Sequence, residues 1–285
     1  MPDWIIAGVA LTWLGIASYT DIKTREVPDW LSYSLIAFGF GYRLLASVIY
    51  QDISFILAGL LGFVALLSFG ALMFYTGQWG GGDSKILMGL GALIGLETTP
   101  YSMLLSFFSN ILLVGGVYGV VWSIGLAASH FSRFRGEFRK QVSGREFKTT
   151  LAVIWILAGA GLGLILVMGM TLLYGAVIGI LFVMPFLFAA VKAVELSSMY
   201  SYVKPDKLTE GDWIAEDVVV GKKVVAGPKD LGISKDQIKE LTLLYSKGRV
   251  GRIRVKSGIP FVPSFLIAFL ITLAFGNLIL SILNL

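Results

Sequence analysis

Cysteine is absent from the 285 residues, and histidine occurs once, at His130. The first absence excludes disulfides, thiolate zinc sites and a cysteine nucleophile. The second excludes a metal site built on several histidines. Charge is also scarce: 14% of residues are Asp, Glu, Lys or Arg, against 56% hydrophobic. A soluble domain carries about 25% charge. This shortage, with apolar runs that are long rather than short and alternating, predicts an all-α polytopic membrane protein.

The apolar runs are Trp4–Thr20, Trp30–Tyr50, Ile53–Tyr75, Ile86–Leu96, Tyr101–Ala128, Leu151–Gly169, Thr171–Val191 and Ile259–Leu283. They predict about eight transmembrane helices. Ile86–Leu96 is short for a crossing of about 20 residues. The stretch 151–191 is too long for one helix, and a turn is expected near Gly169-Met170-Thr171. The first run lacks a basic leader and a small-residue cleavage site, so it is expected to be a retained helix.

Placing the N-terminus outside puts 21–29, 76–85, 129–150 and 192–258 on one side. These segments hold 22 of the 23 basic residues; the exception is Arg43, inside the second run. The positive-inside rule makes that side cytosolic. The net charge of +5 is then mostly topology, and no nucleic-acid partner is needed to explain it. Attraction of the basic loops to anionic lipid headgroups is a modest addition.

Three divisions are expected: a transmembrane core over 1–194, a small cytosolic α+β module over 195–258 and a final helix over 259–285. In the module, Trp213–Ala226 is valine-rich and broken by Gly221. Ser234-Lys235-Asp236-Gln237 reads as a capping box opening a helix to about Lys247. Arg249–Lys256 alternates basic and aliphatic residues like a short strand. The bland reading of this module is a folded spacer or docking surface.

Two carboxylates stand out. Asp21 closes the first run, in Asp21-Ile22-Lys23-Thr24-Arg25-Glu26-Val27-Pro28-Asp29, and Asp83 opens the fourth, in Gly80-Gly81-Gly82-Asp83-Ser84-Lys85. Ionisable groups at the edge of hydrocarbon are costly and point to function. Both are expected at cytosolic helix ends, where two carboxylates sharing a proton can hydrolyse a peptide. The dipole argument makes Asp83, at a helix N-terminus, the resting base, and Asp21, at a C-terminus, the acid. The glycines leave room for close approach. Structural alternatives stand beside these readings. Asp83 is also a natural helix cap, Asp21 a partner for Lys23 or Arg25, and Asp29 an N-cap of the second helix. Lys85 suits a headgroup contact, and Arg43 suits snorkelling or pairing within the bundle. Glu97 suits the outer interface and His130 the inner one.

These two motifs resemble those of the type IV prepilin peptidases, GxGD aspartic membrane proteases, and most of all the archaeal prepilin and preflagellin peptidases. Gly258-Ile259-Pro260-Phe261-Val262-Pro263 also resembles the family's approach to its final helix. The resemblance implies an aspartic endopeptidase with Asp21 and Asp83 catalytic and Gly80, Gly81, Gly82 and Lys85 forming the active-site loop. It implies removal of short basic leaders from pilin-like or archaellin precursors with class III-type signal peptides, at the cytosolic face of the cytoplasmic membrane. Many bacterial relatives carry a cysteine-rich zinc region and N-methylate the product. With no cysteine here, peptidase activity without methylation is expected, and no metal or other cofactor. A basic leader needs local negative charge, for which Glu26 and Asp29 are the candidates. Three rivals remain at this point. Presenilin-like proteases share Gly-x-Gly-Asp but pair it with Tyr-Asp, whereas Thr20 separates Tyr19 from Asp21, and their Pro-Ala-Leu motif is missing. A proton-coupled transporter favours midplane acids and an inverted repeat. A scaffold would use the module alone.

Overall fold

The computed structural model describes residues 4–97, 99, 101–168, 171–221 and 223–282. Every apolar run of the sequence becomes helix: α1 (Trp4–Thr24), α2 (Asp29–Tyr50), α3 (Ser54–Tyr75), α4 (Gly81–Ile94), α5 (Met103–Ser129), α7 (Arg145–Met168), α8 (Thr171–Val194) and α10 (Val262–Phe275). Five described helical stretches are long and apolar enough to cross a membrane: α1, α2, α3, α5 and Gly175–Met199. The chain is a multi-pass, all-α membrane protein with a small sheet-bearing insertion before its last helices. The turn expected at Gly169-Met170 lies outside the described residues.

Two findings depart from the sequence reading. The basic loop at 129–150 contains a helix, α6 (Phe131–Ser143), whose N-cap position is His130. Its Phe131, Phe134 and Phe138 recur at helical spacing between charged residues, a pattern masked by the charge of the segment. The last apolar run is two helices, α10 and a short α11 (Leu278–Ile282). The break is Gly276, at φ 67°, a left-handed conformation that suits glycine.

The chain divides into two compact units, 1–121 with 202–285, and 122–201. In the first unit α4 is the central element. Ile86, Leu87, Leu90 and Leu93 are fully buried, so this helix has no lipid-facing stripe. Its 14 residues rise only about 21 Å, short of the ~30 Å of hydrocarbon. It ends inside protein instead, because Arg43 of α2 donates from Nε to the Leu93 carbonyl at 3.1 Å and from Nη2 to the Ile94 carbonyl. The guanidinium thus satisfies C-terminal carbonyls that would otherwise be orphaned in an apolar core. Of the two expectations for Arg43, pairing within the bundle is the one observed. Glycine brings α3 and α4 together: a Cβ on Gly62 would collide with the Gly91 carbonyl oxygen, and one on Gly91 with that of Gly62.

The insertion holds β1 (Tyr200–Val203), β2 (Trp213–Ile214), β3 (Val218–Val220), β4 (Lys223–Ala226), α9 (Lys235–Ser246) and β5 (Ile253–Lys256). The sheet order is β1-β5-β2, and β3-β4 form a separate hairpin. Trp213 pairs with Lys256 and Ile214 with Val255, antiparallel. Gly221, at φ 65°, turns the hairpin. Ser234 and Gln237 make the reciprocal bonds of a capping box, 3.3 Å and 2.9 Å, at the start of α9. Leu208, Ile214, Val225, Ile233, Leu241, Ile253 and Val255 form a core of their own.

Candidate active site

Asp21 lies in the last turn of α1 and is only 5% exposed. Its Oδ2 accepts a 3.0 Å hydrogen bond from the Val262 backbone N–H, the first residue of α10. A carboxylate is a favourable acceptor at a helix N-terminus, where N–H groups lack intrahelical partners. Four residues on, Arg25 takes a left-handed turn at φ 61°, and its guanidinium donates to the Gly258 carbonyl. The segment Gly258–Pro263 is therefore held at both ends by the motif that carries Asp21.

Asp83 is half-buried in the first turn of α4. The N-cap position belongs to Gly80, not to Asp83, and Asp83 Oδ2 accepts the Gly80 N–H at 2.9 Å. This is half of a capping box, since glycine has no side chain to return the bond. Gly82 sets the approach to the first motif: a Cβ there would stand 3.0 Å from the Val27 Cβ. With hydrogen in that place, the start of α4 abuts the segment leaving α1. The Asp21 and Asp83 carboxylates are consequently close enough to interact electrostatically. Both helix-end environments are N-terminal, α4 around Asp83 and α10 against Asp21. The dipole argument, which counted only the C-terminus of α1, therefore no longer separates base from acid.

One further expectation changes. Pro28, not Asp29, is the N-cap residue of α2, and no side-chain cap bond is made there. Asp29 instead accepts a 2.6 Å ion pair from Lys85. Lys85 thus has a partner at the start of α2, and its ammonium also stands 5.5 Å from the centre of the Tyr33 ring. Glu26 is exposed beside this pair of motifs, and Glu97 is exposed at the far end of α4. Gly80 is the N-cap residue of α4 and Gly81 its first helical residue.

An aromatic wall missing from the sequence reading borders the carboxylates. Trp79, next to the glycines, packs at 5.3 Å from Phe261 and 5.2 Å from Phe265 (ring centroids). Phe69 meets Trp79 edge-on. Tyr118 of α5 packs edge-on against Phe261 and lies within electrostatic reach of Asp21 and Arg25. Trp79 precedes the first glycine and Phe261 sits between two prolines, so motif proximity was a usable signal for both. For Tyr118, in the middle of an apolar run, nothing local distinguishes it from a lipid-facing aromatic.

Residues 8–115 match the type IV leader peptidase family. The chain is 36% identical over 112 residues to the preflagellin peptidase of Methanocaldococcus jannaschii, covering 39% of this chain and 46% of that protein. It is 32% identical over 149 residues to the preflagellin peptidase of Methanococcus maripaludis, covering 52% and 63%. A prepilin leader peptidase/N-methyltransferase of Aeromonas salmonicida is 31% identical over 124 residues, covering 42% and 40%. The matches thus span roughly half of each of these relatives. Residues 8–115, the region that holds both Asp21 and Asp83, are thus similar to the type IV leader peptidase family.

Proposed function

We propose that this protein is a membrane-embedded aspartic endopeptidase that removes short basic leaders from pilin-like or archaellin precursors. One observation carries the reading: two carboxylates 62 positions apart, Asp21 buried and Asp83 half-buried, stand at helix ends whose adjoining segments abut at Gly82 and Val27, within the region matched to the leader peptidase family. The relatives' activities, preflagellin and prepilin peptidase, support the substrate class.

In the proposed reaction the dyad works as a unit holding one proton. The ionised member takes a proton from water, whose oxygen attacks the scissile carbonyl. The protonated member gives its proton to the developing oxyanion. Collapse of the tetrahedral diol breaks the C–N bond: the proton taken from water leaves on the amine, and a diol hydroxyl returns its proton to the dyad as the carbonyl re-forms. Asp21 and Asp83 are the catalytic pair, and Gly80, Gly81 and Gly82 give the substrate backbone room to approach. The Val262 and Gly80 N–H groups act as positioning donors. The Lys85–Asp29 pair fixes the start of α4 against α2. Cleavage takes place at the cytosolic face of the cytoplasmic membrane, as the distribution of basic residues supports, and the 195–258 module belongs on the same side. No N-methylation of the product accompanies it.

The test is cleavage of a coexpressed precursor with a basic leader. Asp21→Asn and Asp83→Asn keep shape but remove the ionisable group. Each should abolish cleavage while membrane levels stay normal. Full activity in either variant sinks the assignment, and a transporter or scaffold would leave no cleavage to lose.

A further inference from the structure

The second unit contains a cleft of about 920 Å³ between α6, α7 and α8. At one end are three cations: Lys140 near the end of α6, Arg145 at the start of α7, and Lys192 near the end of α8. Leu181, Met184 and Phe188 of α8 form an apolar wall below them. Eleven residues separate Leu181 from Lys192, a rise of about 16 Å. One leaflet of hydrocarbon is about 15 Å thick, half of the ~30 Å core. The cleft therefore has charge at headgroup level and apolar surface through one leaflet.

We infer that this cleft is a binding site for a phospholipid with an anionic headgroup, its phosphate held by Lys140, Arg145 and Lys192 and its acyl chains laid along Leu181, Met184 and Phe188. Charge complementarity selects the occupant. From His130 to Thr150 the chain carries six basic residues and two acidic ones. Acidic groups do face the cleft, Glu146 and Glu195. Glu195 pairs with Lys192 at 2.9 Å, and Lys140 pairs with Glu137 at 2.6 Å, both on helix faces three residues apart. The lysine side chains of these pairs are exposed, 50% for Lys192 and 71% for Lys140, which leaves them able to turn to a phosphate. Arg145 has no carboxylate partner among the described residues, and its guanidinium matches phosphate geometry. Pro185, which also lines the cleft, removes the N–H that would bond the Leu181 carbonyl. The apolar wall is exposed: Phe188 is 67% accessible, a surface that an acyl chain would cover. A basic groove between membrane helices is a known form of lipid headgroup site.

The test uses the full chain in bilayers of phosphatidylcholine with a minor fraction of phosphatidylglycerol. Spin-labelled phosphatidylglycerol and phosphatidylcholine report which lipid is retained at the protein boundary. The expected result is enrichment of phosphatidylglycerol, reduced by Arg145→Gln by up to about fivefold, the weight of one cation near the surface. The combined Lys140→Ala, Arg145→Gln, Lys192→Ala variant should bring the preference down to that of bulk lipid. Arg145→Lys should restore part of it. Lys235→Ala with Lys239→Ala, on α9, is the control and should leave it unchanged. Should the triple variant misfold, the Arg145→Gln and Arg145→Lys pair decides alone. Undiminished enrichment in Arg145→Gln overturns the proposal. Equal loss in the α9 control, or displacement of the labelled lipid by inorganic phosphate alone, also overturns it.

Discussion

The α3–α4 contact and the module around α9 solve the same packing problem by opposite means. Between α3 and α4 the closest points are backbone on backbone, at Gly62 and Gly91. Around α9 the contact is side chain on side chain, with Leu241 fully buried among Ile214, Val225, Ile233 and Ile253. Solvent explains the contrast. In lipid, burying an apolar side chain against another gains little, because lipid tails are equally apolar, so close fit and satisfied polar groups hold helices together. In water, removing apolar area is itself the driving force. The membrane region should therefore be sensitive to added atoms and the module to removed ones.

The largest effect expected from this contrast is at Gly62. Both of the collisions described there are with backbone, which cannot rotate away. Gly62→Val should cost more than about 3 kcal/mol, beyond the usual range for overpacking, and cleavage should fall with it. Thermal unfolding in detergent is the measurement; a melting temperature equal to the parent's would break the comparison. Leu241→Ala is the converse case, with an expected cost of about 2–5 kcal/mol from the lost transfer energy and the cavity. Hydrogen exchange should show that loss in α9, β4 and β5, while α3 and α4 keep their protection. Loss of protection spread equally over both regions would mean that they unfold as one.

A smaller effect belongs to Arg43. It is a charge 6% exposed whose work is to satisfy the Leu93 and Ile94 carbonyls. Arg43→Met keeps volume and leaves those acceptors unpaired, at about 1–3 kcal/mol. Arg43→Lys, with a single point of donation, should recover part of this. If Arg43→Met is as stable as the parent, the short α4 must end by another device.

How much of this was legible in the sequence follows the same division. The apolar runs located the helices because hydrophobicity over 14–27 residues is a strong signal, and Ser234 with Gln237 located α9 by its capping chemistry. The Asp21 and Asp83 motifs were visible as costly charges at run ends. What escaped was everything decided by tertiary contact. Nothing in Asp29-Trp30 says that its carboxylate will meet Lys85 rather than a helix N–H. Nothing in the first run says that Asp21 will stand against α10, two hundred and forty-one positions away from Val262. Helix dipoles counted along the chain left out α10 for that reason. The α6 helix was missed because four cations in thirteen residues read as a loop when apolar runs were the guide.

Lys85 and Asp29 sharpen the contrast from its polar side. The pair is partly exposed, 33% and 62%, so its contribution should lie near the 0–1 kcal/mol of surface ion pairs. Asp29→Asn removes the charge and keeps most of the shape. It should lower stability by less than about 1 kcal/mol, and the difference should fade as salt rises. A loss of several kcal/mol, or one insensitive to salt, would place the pair inside the low-dielectric region and redraw its boundary.

The smallest effect concerns recognition. The carboxylate pair lies in a region of the chain rich in cations, and the proposed leader is basic, so local negative charge is needed to dock it. With Asp29 committed to Lys85 and Arg25 to Gly258, the exposed Glu26 is left as the acidic group of the first motif that faces solvent beside Asp21. Glu26→Lys should raise KM for a basic-leader substrate severalfold and change kcat little, because it touches docking and not the dyad. Exposed charges are screened over about 10 Å at 0.1 M salt, so the two KM values should converge as salt increases. Kinetics of parent and variant at two salt concentrations decide the matter. Equal KM at low salt would move leader recognition to the acidic residues of the 195–258 module, and the catalytic assignment of Asp21 and Asp83 would stand or fall separately on their own asparagine variants.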